Sequence, residues 1–172
     1  LMRDYSILYQ ITGQEGFKKI ALEIAEYLLE NLYNTEKCCF YGSQDADEEY
    51  YQLPIEERKR RRPPLVDDTI YTNKNCTASY AFIVSGKILN DSRLIETGIK
   101  VLDFVVEKAL VDEGLYHYFS GEQGFLPGLF IDIPPAAFAL IEGTEVSGDS
   151  RYPDALERII KWTVDNLYDG KS

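Results

Sequence analysis

Histidine and cysteine are scarce in this chain, and their scarcity narrows its chemistry. One histidine and three cysteines stand among 172 residues. Cys38, Cys39 and Cys76 are odd in number and two are adjacent, so they form neither a disulfide framework nor a zinc-ligand spacing. A reducing, cytoplasmic setting is the natural reading, with the cysteines as small apolar packing. No metal and no cofactor is expected, because one histidine and scattered acids give no ligand spacing. Neither a glycine-rich phosphate loop nor a nucleophile elbow occurs. Long apolar runs are missing too. No stretch approaches the ~20 residues that cross a bilayer, and no signal peptide opens the chain, so no membrane partner is expected.

Basic charge is also short. The 18 Lys and Arg residues against 29 Asp and Glu give a net charge of -11, which argues against nucleic acid as a partner. The run Arg58-Lys59-Arg60-Arg61-Arg62 is the exception. It reads as a short solvated helix that Pro54 opens and Pro63-Pro64 ends. Glu56 and Glu57, four residues before Arg60 and Arg61, would supply ion pairs along it.

What is present is helical periodicity. Residues 17–33 carry apolar side chains at Phe17, Ile20, Ala21, Ile24, Ala25, Leu28 and Leu32, with Lys18, Lys19, Glu23, Glu26 and Glu30 facing away. The stripe returns at Leu94, Gly98, Val101, Leu102, Val105 and Ala109, and again at Tyr152, Leu156, Ile159, Ile160, Thr163 and Leu167. An aromatic recurs at Tyr27, Phe104 and Trp162. This is an internal repeat whose helices match while its loops differ.

Between the copies lie helices of a second kind. Residues 75–89 and 136–146 are apolar nearly all round, and Pro134-Pro135 suits a first helical turn. A helix apolar on every face is buried on every face. The fold class predicted is therefore all-α, with alternating inner and outer helical hairpins in a single helical-hairpin domain over 1–172. Inner-to-outer links are short, whereas the outer-to-inner links over 34–73 and 111–133 are long. All links of one type lie on one face, so the long loops should gather where the inner helices begin and leave N–H groups open to polar ligands.

Those loops hold the candidate site. Asp45 and Asp47, in Phe40-Tyr41-Gly42-Ser43-Gln44-Asp45-Ala46-Asp47, are the candidate catalytic acid and base. Paired carboxylates beside aromatic rings suit sugar chemistry, in which one acid protonates a leaving oxygen and rings stack on the sugar. Both acids could equally hold loop N–H groups in Asx-turns. Tyr41, Gln44, Tyr71, Asn75, Tyr116, His117, Glu122 and Asp132 are candidate substrate contacts. His117 is the one side chain with an ordinary charge switch near neutral pH, and the alternation of residues 114–119 places it on a short strand.

Three stretches carry a family resemblance. Phe40 through Asp47 resembles the "GGFYSSQDADS" signature of the spermatogenesis-associated, thioredoxin-domain-containing protein family. The stretch Asp68-Thr69-Ile70-Tyr71-Thr72-Asn73-Lys74-Asn75 resembles its "DDKxLTDWN", and Leu126-Pro127-Gly128-Leu129-Phe130-Ile131-Asp132 resembles its "VPGFLDD". The resemblance implies that the hairpins form part of an (α/α)6 toroid, similar to those of N-acylglucosamine 2-epimerases and unsaturated glucuronyl hydrolases. It further implies a saccharide ligand at the ring centre and a saccharide hydrolase or epimerase activity. Cys38-Cys39 stands where the family has glycines, Lys74 where it has Trp, and Ile131 where it has an acid. The lost Trp and acid favour a non-catalytic ligand- or protein-binding scaffold as the rival reading, while Asp45-Ala46-Asp47 favours the enzyme. With about two and a half hairpins discernible, the chain reads as a fragment of a larger ring. Its apolar inner helices then call for self-association or for the missing parts of that ring.

Overall fold

The computed structural model describes residues 1–170. Its architecture is three helical hairpins joined by two long connections. The first hairpin pairs α1 (Met2–Thr12) with α2 (Glu15–Asn31). Gly13, left-handed at φ 68°, ends α1 and sends its N–H to the Tyr9 carbonyl. The long connection that follows holds β1 (Tyr33–Asn34), β2 (Cys39–Phe40), β3 (Ser43–Gln44), α3 (Glu48–Gln52), α4 (Ile55–Arg58), β4 (Val66–Asp67) and β5 (Ile70–Tyr71). The second hairpin pairs α5 (Thr72–Leu89) with α6 (Ser92–Phe104), and α6 runs on as a π-helical turn over Val105–Ala109. The second connection holds β6 (Leu110–Val111), β7 (Gly114–Ser120), β8 (Gln123–Pro127) and a 3-10 turn, Phe130–Asp132. The last hairpin pairs α7 (Ile133–Ser147) with α8 (Arg151–Leu167).

The inner helices are α1, α5 and α7, and α5 packs against both of the others. Helix α5 buries a broad face that includes Asn75, Cys76, Ser79, Phe82, Ile83 and Gly86, while Lys74, Thr77 and Lys87 on its other side are exposed, so it is not buried on every face as its composition predicts. The outer helices bury one stripe. In α6 and its π-turn Leu94, Gly98, Val101, Leu102, Val105 and Ala109 are all buried, as the repeat predicts. Glycine sets how closely α5 and α6 meet. A Cβ on Gly98 would lie 2.6 Å from Ile83 Cγ1 and 2.9 Å from the Ser79 carbonyl oxygen. The Ser79 hydroxyl donates to the Gly98 carbonyl at 2.8 Å across the same contact.

The outermost copies differ from that pattern. Ile20 on α2 and Ile160 on α8, both expected in the buried stripe, are 36% and 46% exposed. Phe138 and Ile141 on α7 and Val164 on α8 are exposed as well. Helix α6 packs against both α5 and α7, whereas α2 packs chiefly against α1 and α8 chiefly against α7. The basic run also departs from expectation. Only Ile55–Arg58 is helical, and the ion pair it holds is Lys59 to Glu56 at 3.1 Å rather than Glu56 to Arg60. One turn is too short to bring residues four apart into register.

Strands give the long connections their shape. β7 pairs with β5 in the register Ile70↔Phe119 and Tyr71↔Tyr118, which ties the two connections together. β7 also pairs with β8, stacking Tyr118 on Phe125 at 5.1 Å. The alternation of residues 114–119 is realised as β7. Among the described residues, no helix is long and apolar enough to cross a membrane.

Candidate functional site

The two connections meet over the first turn of α5. Thr72, its first residue, donates its hydroxyl to the Tyr116 carbonyl of β7. Asn75, one turn further, is fully buried. Its Oδ1 accepts the Phe40 N–H at 2.7 Å, and its Nδ2 donates to the Phe40 carbonyl at 3.0 Å and the Tyr71 carbonyl at 2.9 Å. The amide expected to touch ligand is thus occupied in pinning β2 and β5 to the helix.

Beside this anchor lies a largely buried polar pair. His117 points from β7 so that its Nδ1 lies 3.0 and 3.1 Å from the two carboxylate oxygens of Asp132. Asp132, at the entrance to α7, is fully buried, while the His117 side chain keeps 21% of its surface open. The backbone N–H of Asn73 donates to Asp132 Oδ1 at 3.1 Å. Burial pushes the Asp132 carboxyl above its ordinary value, against the opposing pull of His117 and that N–H. A carboxylate gripping one imidazole nitrogen fixes the ring's orientation and leaves Nε2 as the nitrogen that exchanges a proton with a ligand.

Tyr71 and Lys74 complete the wall. The Tyr71 ring meets the His117 ring edge-on at 5.8 Å. Lys74 Nζ lies 4.6 Å above the centre of the Tyr71 ring and donates to the Gly42 carbonyl at 3.0 Å. Gly42 has no room for a side chain, since a Cβ would come 2.8 Å from Tyr71 Cε2. Asn73 and Lys74 also line a cavity of about 550 Å³ with Met2, Thr77, Phe82 and Ile131, between the beginnings of the three inner helices. Asn73 Oδ1 is buried there without a hydrogen-bond partner.

The remaining sequence candidates lie apart from this pair or are engaged in the fold. Asp47 caps α3, its carboxylate accepting the Tyr50 N–H at 2.9 Å. Asp45 is exposed beside it, with its backbone N–H bonded to the Leu65 carbonyl at 2.8 Å. Gln44 Oε1 accepts from the hydroxyls of Tyr27 and Tyr51. The Tyr41 hydroxyl accepts from Asn34 at 2.7 Å. The Tyr116 ring covers Gly124 in the β7–β8 hairpin, where a Cβ would come within 2.4 Å of it. Glu122 is paired with Lys37 at 2.7 Å, which holds its carboxyl below the ordinary range. Of the ten candidates, the structure therefore groups Tyr71, His117 and Asp132, with Asn75 and Tyr116 as their supports. Asn73 and Thr72 were missed in the sequence, where the one available signal was their place at the start of an all-round apolar helix. Among the described residues, no three His, Cys, Asp or Glu side chains are grouped to hold a metal ion.

No family model matches the chain, and no curated protein matches it. Solved structures do. A sugar epimerase from a ruminal bacterium superposes with a TM-score of 0.78 at 15% identity, covering 100% of this chain and 41% of that one. Cellobiose 2-epimerase from Bacillus thermoamylovorans B4167 superposes with a TM-score of 0.80 at 14% identity, covering 99% of this chain and 41% of that one. The fold is that of part of an (α/α)6 toroid. The chain spans about two fifths of the length of these neighbours.

Proposed function

We propose that this chain is a saccharide-acting module of an (α/α)6 toroid, with His117 as proton carrier and Asp132 as its positioning partner. The observation that carries the reading is the buried Asp132 carboxylate on His117 Nδ1, set where the long connections meet. Its support from outside the chain is that two solved neighbours are sugar epimerases. Epimerisation begins with a proton taken from carbon, for which this pair supplies the base, and ends with a proton delivered to the opposite face of that carbon by a second acid or by water. Hydrolysis needs two carboxyl groups facing each other across the scissile bond. Asp47 is committed to a helix cap and Asp45 stands exposed, so the hydrolytic alternative has less to rest on. The lone Asn73 Oδ1 and the Lys74 ammonium offer polar contacts for sugar hydroxyls.

The same proposal extends to the family and the assembly. The order of the three motifs supports kinship with the spermatogenesis-associated, thioredoxin-domain-containing proteins, and three free cysteines suit a reducing, cytoplasmic setting. The exposed Phe138, Ile141, Ile160 and Val164 favour further hairpins against the α7–α8 flank, from more of the ring or from a second copy. The scaffold reading draws on that same apolar flank.

A thermal-shift screen against mono- and disaccharides tests the assignment, because a ligand bound by the native state alone raises its melting temperature. The proposal expects a sugar-dependent shift that Asn73→Ala and Lys74→Ala weaken. A shift that both variants keep would place the sugar elsewhere.

A further inference from the structure

The eight arginines of the chain divide into two groups. Arg3, Arg93, Arg151 and Arg158 each hold a carboxylate at 2.8–3.0 Å. Arg58, Arg60, Arg61 and Arg62 hold none among the described ion pairs, although the chain carries 29 acids. Four unpaired guanidinium groups within five residues of an acidic protein are a local concentration of free positive charge.

Arg58 is set apart from the other three by its surroundings. Its guanidinium lies 5.9 Å from the centre of the Tyr51 ring, and its Nε is buried without a hydrogen-bond partner. It lines a pocket of about 250 Å³ together with Tyr27, Tyr51, Gln44 and Lys59. The hydroxyls of Tyr27 and Tyr51 both bond Gln44 Oε1, which fixes the aromatic wall. Burial and the Tyr51 hydrogen bond push Tyr27 up to about 12, so no phenolate competes for the cations at neutral pH. Glu30 is the single acid in the lining.

We propose that this pocket, on the outer side of α2 and separate from the His117–Asp132 pair, binds a compact oxyanion, a phosphoryl or sulfo group. Arg58 Nε is closed off within the fold, whereas its two Nη groups hold no hydrogen bond and are not closed off, so they are the donors an anionic oxygen would meet. The planar guanidinium fork matches an oxyanion with two parallel hydrogen bonds, which a point charge cannot do. Arg60, Arg61 and Arg62 stand outside the pocket as an attracting rim. The rim acts through solvent and weakens with salt. The pocket volume suits one such group rather than a polymer, and the net charge of -11 opposes a long polyphosphate.

Calorimetric titration with inorganic phosphate and with sulfate, at constant ionic strength against chloride, tests the site. Saturable binding is expected, with Arg58→Gln weakening it about tenfold or more. Arg58→Lys should weaken it nearly as much, because it keeps the charge and loses the fork. The triple variant Arg60→Gln/Arg61→Gln/Arg62→Gln should lose affinity only at low salt. Phosphate binding that strengthens as pH rises through the second ionisation of inorganic phosphate would mark a phosphoryl ligand, and equal or better sulfate binding a sulfo ligand. Binding no better than chloride, or an Arg58→Lys protein that binds as the parent does, overturns the proposal. The Lys variant keeps the test decisive should Arg58→Gln fail to fold.

Discussion

The side-chain amide of Asn75 takes both backbone groups of Phe40, the N–H at 2.7 Å and the carbonyl at 3.0 Å. One residue on an inner helix thus replaces a strand partner for β2 and locks the first long connection to α5. Asn75→Ala leaves both Phe40 groups buried and unpaired, at a cost of about 3 kcal/mol. Denaturant unfolding should show that loss, and Asn75→Asp should lose a comparable amount because a carboxylate cannot donate to the Phe40 and Tyr71 carbonyls.

Gly98 and Gly16 form a matched pair for testing the packing account. Gly98→Ala drives a Cβ to within 2.6 Å of Ile83 in the α5–α6 contact, and should destabilise by about 1–3 kcal/mol. Gly16→Ala, in the first turn of α2, meets nothing within 4 Å and should stabilise by up to about 0.5 kcal/mol. Equal effects at the two positions would contradict the close approach of α5 and α6.

Asp132 predicts a pH dependence of defined sign. Burial raises its carboxyl above the ordinary value in the folded state, so the fold holds that proton more tightly than the unfolded chain does. Its contribution to stability is full below the unfolded value and is lost as pH rises through the raised folded one. The parent minus Asp132→Asn difference in unfolding free energy should therefore fall across that window. Asp91 and Asp149, held below their ordinary values by Arg93 and Arg151, act in a lower window and with the opposite slope. A difference that stays flat or rises would show that Asp132 is not proton-retaining in the fold.

Asp47 should behave as a cap. Asp47→Ala is expected to speed amide exchange over Glu48–Gln52 while costing about 1 kcal/mol or less in global stability, because α3 is short and exposed. Asp47→Asn should preserve the cap, since an amide oxygen also accepts the Tyr50 N–H. If Asp45→Asn or Asp47→Asn removed sugar-dependent activity and left this exchange unchanged, the acid–base role would return to these two residues.

The helices could be read in the sequence because apolar spacing reports directly on burial, and α6 shows this at all six stripe positions. The stripe failed at Ile20 and Ile160 because periodicity records a face suited to burial, not whether a neighbour covers it. The site was harder to read. Asp45 and Asp47 drew attention as acids close together among aromatics, yet proximity in sequence took one of them to a helix cap. His117 and Asp132 are 15 residues apart and meet only because β7 and α7 converge over α5. The chemistry of each was visible, and their partnership was not. Asn73 acts through its backbone N–H, which no side-chain pattern reveals.

The most direct test of the central claim is solvent deuterium exchange into sugar. The protein is incubated in D₂O with glucose, mannose and cellobiose, and deuterium at C2 is followed by NMR. The account predicts incorporation that His117→Gln abolishes and Asp132→Asn lowers by about 10²-fold or more through loss of the imidazole's positioning. Incorporation that survives His117→Gln would contradict it.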